Sequence, residues 1–323
     1  MNTMNPIRMN PAFRGGKLTP WGGEKLRSVF GKQIPEVPTG ESLEISCIPG
    51  LESRDDAGRT LPELIKEYGE AYVGAYAGKA FPLLLKLIDA REALSVQVHP
   101  DDAYASAHEN GKLGKTEAWL ILDAPEGAEL VYGILPGTDR QQLRAACEAG
   151  SAVAPLLRRV KVRPGDVCFI PSGCVHAIGA GITLYEIQQS SDITYRFYDW
   201  DRTDSQGRKR ELHLEKALAV TDLSFSLNPR HWEEKPGITR MLDEHYFSLD
   251  LIRAEAGSVA LPALSEFGFL TALDDGLRLV WAGGETEMKR GESFFLPKAS
   301  PALAVCGSGR AALSMPKAPS DPA

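Results

Sequence analysis

The chain has 323 residues, a mean hydropathy of −0.20 and a formal net charge of −7, long enough for one large domain or two ordinary ones with a sizeable core. That charge excludes a general nucleic-acid binder, whose affinity rests on neutralising phosphates with Lys and Arg, but leaves room for a small phosphorylated substrate held by a few cations. No apolar run reaches the ~18 residues that span a bilayer. The polar N-terminus lacks an apolar signal core. The five scattered cysteines, Cys47, Cys147, Cys168, Cys174 and Cys306, suit reduced thiols better than a disulfide framework. A cytoplasmic protein with no membrane or nucleic-acid partner is expected.

Residues 1–45 are rich in Gly and Pro, include Pro20-Trp21-Gly22-Gly23, and read as loops with short strands. Residues 61–69 read as a helix stopped by Gly69. The apolar run of residues 81–90, with Lys86 inside it, has the length of a buried strand. Lys86 either reaches a pocket or snorkels to a rim. Residues 94–99 alternate as a strand does and are followed by Pro-Asp-Asp turn chemistry. Residues 117–122 and 128–133 are expected to form a strand pair. Residues 138–150 and 211–220 are expected to be helices, the second closing a domain. Between them, residues 160–190 return to strand texture, with Pro164-Gly165-Asp166 as a turn.

The segment Arg163-Pro164-Gly165-Asp166-Val167-Cys168-Phe169-Ile170-Pro171 recurs at lower fidelity as Lys289-Arg290-Gly291-Glu292-Ser293-Phe294-Phe295-Leu296-Pro297. A turn leading into a short strand that ends at Pro is a barrel-rim device, and two copies suggest two barrels. His176 follows the first copy where Ala302 follows the second, and no histidine follows His245, so the second barrel is expected to carry no metal. The division is placed at residues 1–225 and 226–323.

Chemistry concentrates on Gln97, His99, Glu117 and His176. Gln97 and His99, two apart on a strand, share a face, while Val96 and Val98 take the other. Glu117 opens the next strand, and His176 follows a Pro-Ser-Gly turn. Two imidazoles and a carboxylate converging from different strands suit a divalent transition metal, with the Gln97 oxygen as a weaker fourth ligand and positions open for water or substrate. Each residue alone has a plainer reading, a packed histidine or a solvated carboxylate. Cys168, in the apolar VCFI strand, reads as packing rather than a ligand. Cys174, on the other side of that rim turn, is likewise near His176 in sequence and could be mistaken for a ligand. Trp119 reads as core, and His108 and His213 as surface or interface residues.

The segments Ser95-Val96-Gln97-Val98-His99-Pro100-Asp101-Asp102, Gly114-Lys115-Thr116-Glu117-Ala118-Trp119 and Pro171-Ser172-Gly173-Cys174-Val175-His176-Ala177-Ile178 resemble the mannose-6-phosphate isomerases of type I in their short bacterial form. So do Tyr185-Glu186-Ile187-Gln188-Gln189-Ser190-Ser191-Asp192, the stretch Tyr195-Arg196-Phe197-Tyr198-Asp199-Trp200-Asp201-Arg202, Trp21-Gly22-Gly23 and Gly40-Glu41-Ser42. The resemblance spans roughly residues 18–220 and weakens beyond. It implies a mainly β cupin fold (double-stranded β-helix, or jelly-roll, barrels) with helical insertions and a degenerate second barrel. It also implies one zinc per chain, or another divalent transition metal, on Gln97, His99, Glu117 and His176. Lys115 corresponds to the family's pocket lysine, Arg196 to its active-site arginine and Glu186 to an acid lining the pocket. Gly114 departs from longer relatives, which place there a histidine proposed to help ring opening; water or Lys115 would have to serve instead.

The implied activity, interconversion of mannose 6-phosphate and fructose 6-phosphate, moves a proton between C1 and C2 through a cis-enediol. That chemistry needs a Lewis acid for the developing oxygen charge and a base near working pH. Lys115 and Glu186 both qualify as the base. Arg196 suits bidentate binding of a phosphate or an enediolate oxygen; its alternative is an ion pair with Asp192, Asp199 or Asp201. A metal-dependent cupin oxygenase and a non-enzymatic sugar-phosphate-binding cupin are the rival readings, and either a monomer or a homodimer is compatible with the sequence.

Overall fold

Strand alternation organises the molecule, whose computed structural model describes residues 4–204 and 206–319. The outer bounds of the two expected domains, residues 1 and 323, lie outside the described residues. In chain order the strands are β1 (Ile7–Met9), β2 (Ala12–Gly15), β3 (Thr39–Ile45), β4 (Leu83–Ala90), β5 (Val96–Val98), β6 (Glu117–Asp123), β7 (Glu129–Ile134), β8 (Leu157–Lys161), β9 (Asp166–Ile170), β10 (His176–Ala177), β11 (Ile182–Gln189), β12 (Tyr195–Tyr198) and β13 (Arg230–His231). They continue as β14 (Gly237–Asp243), β15 (Phe247–Ala260), β16 (Gly268–Ala272), β17 (Leu277–Trp281), β18 (Gly284–Met288), β19 (Ser293–Leu296) and β20 (Leu303–Pro316).

Three antiparallel sheets result. One runs β13-β9-β6-β11-β4-β3-β2 and a second β12-β5-β10-β7-β8; together they enclose the first barrel. The third runs β1-β19-β16-β20-β15-β14, with β17 joining β20 and β18 joining β17. Two crossings tie the halves together: β1 pairs with β19, and β13 pairs with β9.

The apolar run around Lys86 is β4, and period two explains its composition. Leu83, Leu85 and Leu87 pack into one core with Phe247, Phe269 and Phe295 of the second barrel. Lys86 and Ile88 face the interior of the first. The seven-stranded sheet is thus buried on both faces, which is why its strands read as nearly continuous apolar runs. At the junction Phe81 stacks on Phe267 with ring centroids 5.1 Å apart. Each such aromatic contributes about 1.5–3 kcal/mol by burial. The second barrel has its own core of Leu270, Leu279, Phe294, Leu296, Val305 and Leu313. Helices cover the outer face of the five-stranded sheet, bringing Leu143, Cys147 and Leu218 against Val96, Val98 and Phe197.

Residues 117–122 and 128–133 are both strands, but they do not pair. β6 lies between β9 and β11, whereas β7 lies between β10 and β8 in the other sheet. The turn at Pro125 and Gly127 (φ 74°) carries the chain from one wall of the barrel to the other. The expected helices form as Leu61–Tyr68, Arg140–Glu148 and Leu214–Val220. Thr60 with Glu63, and Asp139 with Gln142, make capping boxes at the first two. The third starts late because the His213 N–H donates to the Arg196 carbonyl at 2.9 Å, holding residue 213 beside β12. The repeated motif occupies equivalent places: Gly165 (φ 90°) and Gly291 (φ 83°) turn the chain into β9 and β19.

Candidate active site and metal centre

β5 and β10 bring their polar residues together from one wall of the first barrel. His176 and Gln97 are register partners, and Arg196 on β12 is the partner of Gln97 on its other side. From the opposite wall β6 offers Glu117 and Trp119, β11 Glu186, β4 Lys86 and β3 Glu41, with Glu186 in register with both Lys86 and Trp119. Alternation sends Val96 and Val98 outward into the helix-covered core, as their spacing requires.

His99, Glu117 and His176 are buried, and their ligand atoms lie within 4.8 Å of one another. The Nε2 atoms stand 3.6 Å (His99) and 3.4 Å (His176) from the two Glu117 oxygens. Each Nδ1 faces a carbonyl oxygen at 2.9 Å, of Ile193 for His99 and Cys174 for His176. Those carbonyls require an N–H at Nδ1, which leaves both Nε2 lone pairs aimed at the carboxylate. His99 Nε2 and Glu117 Oε1 have no hydrogen-bond partner, and Glu117 Oε2 meets the Lys115 ammonium alone at 2.9 Å. Buried acceptors converging on acceptors are satisfied by a cation, so these residues fit a divalent metal. Burial holds both imidazoles neutral, with His176 pushed down to about 4 and His99 well below its ordinary value. The Gln97 side chain is adjacent, its Nε2 3.3 Å from His176 Nε2. An amide flip exchanges that nitrogen for the oxygen foreseen as a ligand.

Beside this group opens a cavity of about 130 Å³, lined among others by Arg14, Glu41, Lys86, Lys115, Trp119, Glu186, Arg196 and Arg210. The Lys115 Nζ sits 2.9 Å from Glu117 Oε2. Trp119 packs in the core as expected and also donates its indole N–H to Glu186 Oε2 at 3.0 Å. Lys86 reaches the cavity: its Nζ is 3.1 Å from Glu186 Oε1 and 3.5 Å from Glu41 Oε1. Burial raises the Glu186 carboxyl although Lys86 opposes it. For Lys86 burial works downward, but Glu186 and Glu41 outweigh it and hold the ammonium above its usual value.

Arg196 makes no ion pair with the three aspartates near it in sequence. Asp199 takes Arg202 and Arg210, Asp201 takes Lys209, and Asp192 takes Lys112. Arg196 donates instead to Ser95 Oγ (3.2 Å) and the Glu211 carbonyl (2.7 Å), and it lines the cavity without a direct ion pair among the described residues. Cys168 and Cys174 are buried and free. His108 is exposed and half-buried His213 flanks Arg196, accepting from its backbone N–H at 3.3 Å. Arg14, Glu41 and Arg210 escaped the sequence reading as site residues. No local spacing marks them; only the fold of β2, β3 and the segment after β12 brings them to the cavity.

Residues 14–119 match the catalytic domain of phosphomannose isomerase type I. A probable mannose-6-phosphate isomerase of Bacillus subtilis (strain 168), GmuF, is 39% identical over 302 residues, covering 91% of this chain and 93% of the relative. The crystal structure of the mannose 6-phosphate isomerase from Bacillus subtilis superposes with a TM-score of 0.84 at 34% identity, over 96% of this chain and 99% of that one. A mannose 6-phosphate isomerase bound with zinc and yttrium shares the fold at 16% identity, with a TM-score of 0.79 over 97% of this chain and 100% of that one. With two β-barrels of the cupin type and this similarity along nearly its whole length, the chain belongs to the type I phosphomannose isomerase family.

Proposed function

We propose that the chain interconverts mannose 6-phosphate and fructose 6-phosphate, with His99, Glu117, His176 and Gln97 holding one zinc ion. The observation that carries this is the convergence of buried His99, Glu117 and His176 within 4.8 Å, with His99 Nε2 and Glu117 Oε1 lacking a hydrogen-bond partner, beside a cavity rich in cations. The zinc-bound relative supports the choice of metal. Zinc held there supplies Lewis-acid stabilisation of negative charge on the sugar oxygens.

The remaining chemistry falls to the chain's own side chains. Glu186 on β11 and Lys115, in the loop just before β6, both face the cavity and are the two groups placed to carry the proton between C1 and C2. Trp119 and Lys86 fix the Glu186 carboxylate from opposite sides, so its position is set before substrate enters. Arg196, held in no direct ion pair among the described residues, takes the phosphate or an enediolate oxygen through its planar fork. Buried walls exclude bulk water and strengthen each of these interactions.

The division near residue 225 into a catalytic cupin domain and a degenerate C-terminal one is part of the same reading. So is a cytoplasmic protein acting as monomer or homodimer. Among the described residues no helix is long and apolar enough to cross a membrane.

The test is fructose 6-phosphate formation from mannose 6-phosphate by metal-loaded enzyme, chelator-treated enzyme and the His176→Ala variant. Activity lost in both treated samples, and restored by zinc to the chelated parent alone, is the expected result. No turnover by the loaded parent overturns the proposal.

A further inference from the structure

The backbone leading to Lys115 is held at three consecutive N–H groups. Gly114 N–H donates to Asp102 Oδ1 (2.7 Å), Lys115 N–H to the Pro100 carbonyl (2.9 Å) and Thr116 N–H to Gln189 Oε1 (2.8 Å). Gln189 in turn donates its Nε2 to Asp102 Oδ1 at 2.9 Å, so one carboxylate anchors both ends of the tripeptide. The packing leaves no space for a side chain at residue 114: a Cβ there would lie 2.4 Å from the Asp101 carbonyl carbon. The other Asp102 oxygen, Oδ2, accepts from the Tyr246 hydroxyl at 2.8 Å. Tyr246 lies between β14 and β15 of the second barrel, and its carbonyl accepts from the Lys317 N–H at 3.0 Å.

This chain of contacts joins the second barrel to the residue beside the metal group. Tyr246 fixes the Asp102 carboxylate, Asp102 fixes residues 114–116, and these fix where Lys115 Nζ meets Glu117 Oε2. A crevice of about 260 Å³ lined by Lys79, Gln189, His245 and Lys317 opens onto Asp102 and Tyr246, room for water to take the hydroxyl's place, so Tyr246→Phe is expected to fold. The positional precision of the phenol is not replaced by a mobile water.

We propose that Tyr246, acting through Asp102, is a positioning residue for Lys115, and that this is how the second barrel takes part in the reaction at the first. The proposal rests on the isomerase reading of the site. Fixing the reacting groups is worth large factors in rate, and a displacement of about 1 Å at such a group costs up to about a hundredfold.

The experiment compares the zinc-loaded full chain, Tyr246→Phe, Asp102→Asn, Lys115→Met and the double variant Tyr246→Phe/Lys115→Met in mannose 6-phosphate turnover. Thermal melting and zinc content are read on every sample. Tyr246→Phe is expected to lower kcat about tenfold, leaving KM within about twofold and zinc content unchanged. Asp102→Asn, which loses an acceptor for one of its three donors, is expected to lose more. In the Lys115→Met background the added Tyr246→Phe change is expected to alter kcat by less than about twofold, because its effect travels through Lys115. An equal loss in both backgrounds, or a change confined to KM, overturns the proposal. Unfolding of both Tyr246→Phe and Asp102→Asn overturns it too, since the network then serves stability alone. Absence of turnover in the parent chain is a separate outcome that removes the isomerase reading itself.

Discussion

Lys86 stands between two buried carboxylates, Glu186 and Glu41, the second of which also pairs with Arg14 at 3.4 Å, and replacing it with methionine isolates what that position costs. Its Nζ lies 3.1 Å from Glu186 and 3.5 Å from Glu41, with the Lys86 and Glu186 side chains only 4% and 3% exposed. Removing one partner of a buried ionic group destabilises by about 3–5 kcal/mol, because the remaining charge has lost both water and its counterion. Protonation of a carboxyl relieves part of that penalty, which makes the deficit depend on pH. Burial already raises Glu186, with Lys86 opposing, Glu117 adding to the rise and Lys115 working against it. Glu41 is held low despite burial, chiefly by Lys86 and then by Arg14 and Lys115. In Lys86→Met, Glu186 rises further and Glu41 loses its largest support. A carboxyl whose folded value is raised contributes stability that is present below its unfolded value and is lost as pH rises through the folded one. The variant's deficit therefore grows from about pH 5 upward, by up to about 1.4 kcal/mol per pH unit for each proton retained. Urea unfolding of the chelated parent and variant at pH 5 and pH 8 measures it, and the deficit is expected to widen by about 2 kcal/mol or more. A deficit below about 1 kcal/mol that is flat across this range refutes the claim that Lys86 neutralises a buried acidic pair.

Arg196→Lys keeps the charge but loses the planar fork; steady-state kinetics should show KM for mannose 6-phosphate raised about tenfold, with kcat changed less. The Tyr185 hydroxyl meets Ser314 Oγ at 2.7 Å in the core shared by the two barrels. Tyr185→Phe and Ser314→Ala should each cost about 1–2 kcal/mol in urea unfolding, and the double variant clearly less than the sum. Burial pushes the Cys174 thiol up to about 12 and Cys168 higher still, so neither should react with iodoacetamide in the native protein at pH 7.5, and both should on unfolding, as read by peptide mass.

That His99, Glu117 and His176 would come together was legible because they sit in short local patterns that also resemble a known family. Gln97 and His99 are two apart on one strand, and turn chemistry precedes His176. Lys86 was visible as an anomaly, yet its direction depended on which face of β4 meets which core, a tertiary fact. Arg14 and Arg210 carried no signal, since an arginine on a short strand or in a loop is an ordinary surface pattern until distant segments curl around it; Glu41 stood in a resembling segment, Gly40-Glu41-Ser42, but nothing there gave its place in the cavity. β6 and β7 were misjudged as partners because neighbours in sequence usually pair. A jelly-roll instead sends successive strands to opposite sheets, and the turn residues between them look the same in either case.

The pairing of β1 with β19 has a consequence for how the chain comes to its final shape. Residues 7–9 find their partners only after residues 293–295 have been synthesised. At the usual pace of translation, about 5–20 residues per second, that leaves the first strand waiting roughly 15–60 s with its hydrogen-bonding edge open. Closure is therefore among the most non-local events in the molecule, and contacts of this range form slowly. Deleting residues 1–9 leaves the β19 edge, with Phe294 and Phe295 behind it, uncovered in the finished protein. Such an edge invites pairing with another chain, so the shortened protein is expected to self-associate during refolding.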